Sequence, residues 1–170
     1  IRDSTQADAR VYPDPPPPSD PRPVNFPEVQ HFELPNKLQV YVVENHEVPL
    51  VDVTLAIKVG EVHDHLRASM TASLLKEGTK NKKYGNKAKI DAAIEQVGGS
   101  LNAFADTNDT VVATSVLSKD LKMALELVNA VATTPTFPEK ELDKIKEQRK
   151  SDQPGEVRRF FARPAPARHV

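Results

Sequence analysis

Cysteine is absent from this 170-residue chain. Its absence removes a disulfide framework, a thiolate zinc site and a cysteine nucleophile together, while leaving every redox compartment open. Net charge is nearly absent as well. The 23 Lys and Arg against 24 Asp and Glu leave −1 at neutral pH, so no long-range field gathers nucleic acid or an anionic membrane. Long apolar runs are also missing: charge interrupts each one well before the roughly 20 residues that a membrane-crossing helix needs. Neither a nucleic-acid partner nor a membrane span is expected. Glycine-rich phosphate loops, a nucleophile elbow and a Ser-His-Asp order are not found. Ser69, Ser73 and Ser115 fall in pattern-buried elements with no base beside them, so nucleophilic catalysis has no support.

What is present is a globular mixture, 38% hydrophobic and 28% charged, sized for one ordinary domain. Residues 1–28 hold a dense proline run (Pro13, Pro15 to Pro18, Pro21, Pro23, Pro27). Proline removes backbone donors and favours polyproline II, so this stretch reads as an extended arm or linker. After Gln153 the composition shifts to Pro154, Gly155, Pro164 and Pro166 among Arg158, Arg159, Arg163 and Arg168. Without periodicity, residues 154–170 read as a disordered basic tail. The alternative is a tail that binds a partner or phosphate. The chain begins at Ile1 and not Met, which fits a processed or trimmed product. With the proline-rich leader and no cysteine, this suits a periplasmic or cell-envelope protein, the alternative being cytoplasmic.

Between those ends, residues 29–153 carry ordered patterning. His31 to Leu34 and Leu38 to Val43 flank the turn Pro35-Asn36-Lys37, a β-hairpin by composition. Leu50 to Val59 alternates apolar and polar positions, which predicts a strand with one buried face. Leu66, Ala68, Met70, Ala72, Leu74 and Leu75 recur at helical steps up to Gly78. A lysine-rich loop leads to a second helix, Lys87 to Val97, with Ile90, Ala93, Ile94 and Val97 on one face and Gly98-Gly99 as its stop. Leu101 to Ala105 and Thr110 to Leu117 form a second hairpin around Asp106 to Asp109.

Ser118 is the expected N-cap of a third helix, with Leu121, Ala124, Leu125, Val128 and Val131 as its apolar stripe and Pro135 ending it. Pro138 then opens a charged fourth helix that buries Leu142 and Ile145. Hairpins followed by helices predict an α+β fold, an antiparallel or mixed sheet with helices packed on one face.

One metal pattern stands out. His63-Asp64-His65 supplies ligand types, but histidines two apart in a strand-to-helix loop lack a shared helix face and a fixed third ligand. His31 and His46 sit beside strands and read as exposed edge histidines.

The segment Phe32-Glu33-Leu34-Pro35-Asn36-Lys37-Leu38-Gln39-Val40 resembles the opening F-x-L-x-N-G-L-x-V of pitrilysin/insulinase-type peptidases. Val48-Pro49-Leu50-Val51, Gly60-Glu61, Leu75-Lys76-Glu77-Gly78-Thr79, Glu95 through Ala103, Asp109-Thr110 and Asn129 through Glu139 follow in that family's order, covering about residues 26 to 150. The resemblance implies a half-unit of the processing-peptidase type, incomplete at this length. Active members carry an inverted zinc motif, His-x-x-Glu-His, just before the Gly-Thr pair. Residues four apart share a helix face, so two imidazoles hold one zinc while the glutamate deprotonates its water. Counting back from Gly78-Thr79 puts those positions at Ser69, Ala72 and Ser73, none a competent ligand or base. The distal glutamate ligand falls near Glu147 to Lys150. The lead-in Asp64 to Ala68 is also shorter than the family's glycine-containing one.

The resemblance therefore implies a non-catalytic, zinc-less subunit that needs no cofactor of its own. Its partner would be a zinc-bearing subunit of the same family. An unfolded peptide would add as a strand along Leu101, Asn102, Ala103, Phe104 and Ala105, the alternative being that this segment is an ordinary internal strand. Two alternatives remain open: a structural scaffold without peptide traffic, and an autonomous metallohydrolase using His63, His65 and an acidic residue.

Overall fold

The computed structural model describes residues 26–64 and 66–152. The expected arm falls almost wholly outside the described residues, and the expected basic tail and His65 lie outside them altogether. The side chain of His63 does too.

The described residues form two compact units, divided after His46. The first is a hairpin of β1 (Val29–Glu33) and β2 (Gln39–Val43), paired antiparallel with His31 opposite Tyr41. Those two rings stack at 4.5 Å. The connecting loop closes through Lys37 N–H donating to the Leu34 carbonyl and Leu34 N–H donating to the Leu38 carbonyl, both at 2.9 Å. Lys37 takes φ 71° there, the left-handed conformation that ends a three-residue hairpin loop and that glycine adopts most readily.

The second unit contains β3 (Leu50–Ile57), α1 (Glu61–Asp64), α2 (Leu66–Leu75), α3 (Lys87–Gln96), β4 (Ser100–Ala105), β5 (Thr110–Leu117), α4 (Leu121–Thr133) and α5 (Glu139–Asp152). The sheet is antiparallel, in the order β3-β5-β4. Alternation along β5 decides which face is covered: Thr110, Val112, Thr114 and Val116 are buried, and the residues between them are half-buried. On the same face, Val53 and Leu55 of β3 and Leu101 and Ala103 of β4 pack around Val112. The helices supply the other side of this core: Leu75 from α2, Ile90 and Ile94 from α3, and Leu127, Val128, Ala130 and Val131 from α4. The fold is α+β with helices on one sheet face.

Three glycines and a threonine explain the motif pieces in physical terms. A Cβ on Gly60 would lie 2.5 Å from backbone atoms of Asp106, Asn108 and Asp109. The β4–β5 turn presses there against the chain entering α1, and Glu61 N–H donates to the Asp106 carbonyl at 2.9 Å. Gly98 sits at φ +64°, and a Cβ on Gly99 would meet the Ser115 carbonyl oxygen at 2.7 Å, so this pair turns α3 directly into β4. Thr79 is buried and organises the following loop. Its hydroxyl donates to the Tyr84 carbonyl at 3.0 Å and accepts from Asn81 N–H at 3.1 Å.

Several expectations need correction. Ser118 does not cap α4: Ser118–Asp120 forms a 3-10 turn, and Asp120 precedes the helix without a side-chain cap bond. The buried stripe of α4 runs through Leu127 and Ala130, whereas Leu125 is half exposed to solvent. One step along a helix rotates a side chain by roughly 100°, so a string of adjacent apolar residues leaves the stripe's centre ambiguous. Ser115 is half-buried on the sheet face opposite the helices. The strand expected to reach Val59 ends at Ile57.

Candidate functional cleft

α2 presents its last two turns toward β4 and α5. Met70 on α2 is buried against Leu142 and Ile145 of α5, so the apolar spacing of that otherwise charged helix docks it across the first long helix. Beside this contact lies a cleft of about 360 Å³, lined by Ser73, Lys76 and Glu77 from α2 and the segment after it. Lys87 at the start of α3, Ala103 of β4, and Ile145, Gln148 and Arg149 of α5 complete it. A wider depression lined by Leu121, Lys122, Leu125, Glu126 and Asn129 presents one face of one helix, α4, with no second element across from it. The cleft is the better candidate for function.

The structure brings part of the sequence-derived set together. Ser69 and Ala72 are buried on α2, Ala72 completely. Ser73 lines the cleft and donates its hydroxyl to the Ser69 carbonyl, 2.8 Å away on the preceding turn. In the stretch 147–150 that carries the expected distal ligand, Gln148 and Arg149 face the cleft. Glu147 is largely exposed and pairs with Lys150 at 2.5 Å. A serine hydroxyl turned onto its own helix, a methyl group, a glutamine and an arginine do not constitute a zinc ligand set. Among the described residues no group of three or more His, Cys, Asp or Glu is placed to share a metal.

The peptide-contact candidates lie on β4, at one edge of the three-stranded sheet, bonded to β5 on its inner side. Leu101, Ala103 and Ala105 are half-buried toward the helices, while Asn102 and Phe104 are exposed on the other face. Ala103 is the member of this strand that borders the cleft.

Sequence reasoning missed the cations of the cleft. Lys87 reaches Glu77 at 3.3 Å and Asp91 at 4.0 Å. Lys76 and Arg149 complete a lining of three cations and one carboxylate. The signal was available locally, because Lys76 stands three residues after Ser73 and Arg149 four after Ile145, spacings that share a helix face. Joining the two helices at one cleft needed the tertiary packing.

An antiparallel sheet with helices on one face, and a cleft bounded by its edge strand and two helices, define an α+β unit. A family model described as insulinase (peptidase family M16) matches residues 39–159, and the chain belongs to that family. It is 29% identical over 126 residues to mitochondrial cytochrome b-c1 complex subunit 2 of Rattus norvegicus, covering 74% of this chain and 28% of that protein. It is 30% identical over 122 residues to mitochondrial-processing peptidase subunit beta of the same organism, covering 71% and 25%. A crystal structure described as a peptidase M16 inactive domain from Pseudomonas fluorescens superposes with a TM-score of 0.65 at 28% identity, covering 73% of this chain and 31% of that one. The chain thus spans about a quarter of the length of these curated relatives. No helix among the described residues is long and apolar enough to cross a membrane.

Proposed function

We propose that this chain is the zinc-less, non-catalytic type of peptidase-family unit. It would supply chamber wall and peptide contacts beside a zinc-bearing subunit of the same family. The observation that carries the reading is the pairing of an edge strand, β4, with a cleft lined by no histidine and by one carboxylate, Glu77, which is already paired with Lys87. Similarity to a domain described as inactive supports it, as do two relatives whose names call them subunits. The work is physical. An extended peptide adds along Leu101 to Ala105, gaining main-chain hydrogen bonds without a demand on its sequence, and cleavage falls to the partner's zinc. Binding of labelled extended peptides to the chain, unchanged by chelator, is the expected result. Undetectable binding would overturn peptide handling and favour the second reading.

That second reading is a structural scaffold without peptide traffic, favoured by the similarity to a respiratory-complex subunit. Co-purification separates the two. A zinc-containing partner of the same family supports the first, and a partner set without a metallopeptidase supports the second.

A further inference from the structure

We infer that the cleft beside β4 selects an acidic side chain on the peptide that lies along that strand. This rests on the reading of β4 as a peptide-binding edge and adds to it the chemical class of residue preferred there.

Charge bookkeeping within the cleft carries the inference. Of the lining residues, Glu77 alone is a carboxylate, and Lys87 neutralises it at 3.3 Å in a position where the Glu77 side chain is mostly buried. Lys76 and Arg149 are left, and neither forms an ion pair among the described residues. Three acids of α5 are committed to lysines three residues on, and Arg149 takes none of them. Glu141 pairs with Lys144 at 2.7 Å, Asp143 with Lys146 at 3.1 Å and Glu147 with Lys150 at 2.5 Å. Two cations, Lys76 just past the end of α2 and Arg149 on α5, therefore border one recess without an ion-pair partner among the described residues. A dication would be repelled there and a carboxylate attracted.

Strand geometry says how a peptide delivers that carboxylate. Side chains alternate across a sheet, and directly paired residues on neighbouring strands share a face. Ala103 faces the helices and borders the cleft. A residue paired opposite Ala103 on an added strand projects toward the same recess. Alanine is short, so it leaves that recess open. Glutamate or aspartate at this position meets Lys76 and Arg149, and lysine or arginine meets like charge.

The test uses the full chain and two labelled peptides with blocked termini and alternating sequence, identical except that every second residue is Glu in one and Lys in the other. Fluorescence anisotropy at low and moderate salt reads the affinities. The Glu peptide should bind about tenfold more tightly, as expected when two partly exposed attractions replace two repulsions. The advantage should shrink with salt. In the double variant Lys76→Gln, Arg149→Gln it should disappear with the circular dichroism and Tm unchanged. Equal binding of both peptides, or a preference that survives the double variant, would overturn the acidic selectivity and leave the peptide-edge reading standing. Binding of neither peptide would overturn both.

Discussion

Ser73 donates its hydroxyl to the Ser69 carbonyl oxygen at 2.8 Å, so the two serines are joined along their own helix. Between them in the chain lies Ala72, with no solvent exposure at all. This part of α2 has packed around small side chains.

Replacing Ala72 with glutamate would put a carboxylate where there is neither water nor space. We predict that Ala72→Glu lowers stability by at least about 3 kcal/mol, from desolvation and overpacking together. Urea denaturation followed by circular dichroism measures it. A loss below about 1 kcal/mol would show that the site can still open to accept a base.

Gly60 is held by contact and not by conformation. Its missing Cβ leaves room for the Asp106 to Asp109 turn, which approaches to 2.5 Å of where that atom would sit. Gly60→Ala should cost about 2 to 4 kcal/mol, because three backbone atoms would have to shift together. Thermal unfolding of the variant beside the parent chain gives the answer.

Thr79 makes two hydrogen bonds through one buried hydroxyl, to the Tyr84 carbonyl and from Asn81 N–H. Thr79→Val keeps the shape and removes both, leaving a donor and an acceptor unpaired. The expected loss is about 1 to 3 kcal/mol, with faster amide exchange at Asn81 measured by NMR.

Lys37 occupies a left-handed position at φ 71° and contributes only an exposed ion pair to Glu33 at 3.1 Å, a contact of small worth. Lys37→Gly should therefore stabilise the hairpin by about 0.5 to 1 kcal/mol, the relief of backbone strain exceeding the added chain entropy. Slower amide exchange across Val29 to Val43 is the expected outcome, and faster exchange would contradict it.

The sequence was most informative where periodicity and position coincide. Thr110 to Leu117 is rich in β-branched residues and follows an Asp-Asn turn, and its expected bounds are the observed ones. Ile90 and Ile94 fix the buried face of α3 with only two residues. Reading failed where local chemistry offers equivalent choices. Ser118 and Asp120 are both credible cap residues, and the chain settles the matter by inserting a 3-10 turn. Leu125 and Leu127 are both apolar, and only contact with the sheet selects Leu127. The cleft was not legible in the sequence. Lys76, Lys87 and Arg149 come from separate segments, and no sequence period brings a residue near 76 together with one near 149. The docking of α5 on Met70 does that.

Metal content measured together with peptidase activity on the purified chain tests the central claim most directly. The non-catalytic reading predicts no stoichiometric zinc and no chelator-sensitive cleavage by the chain alone, with cleavage appearing only when a zinc-bearing partner is added. One zinc per chain with chelator-sensitive cleavage would contradict it and would direct attention to His63 and His65 as the remaining candidate ligands.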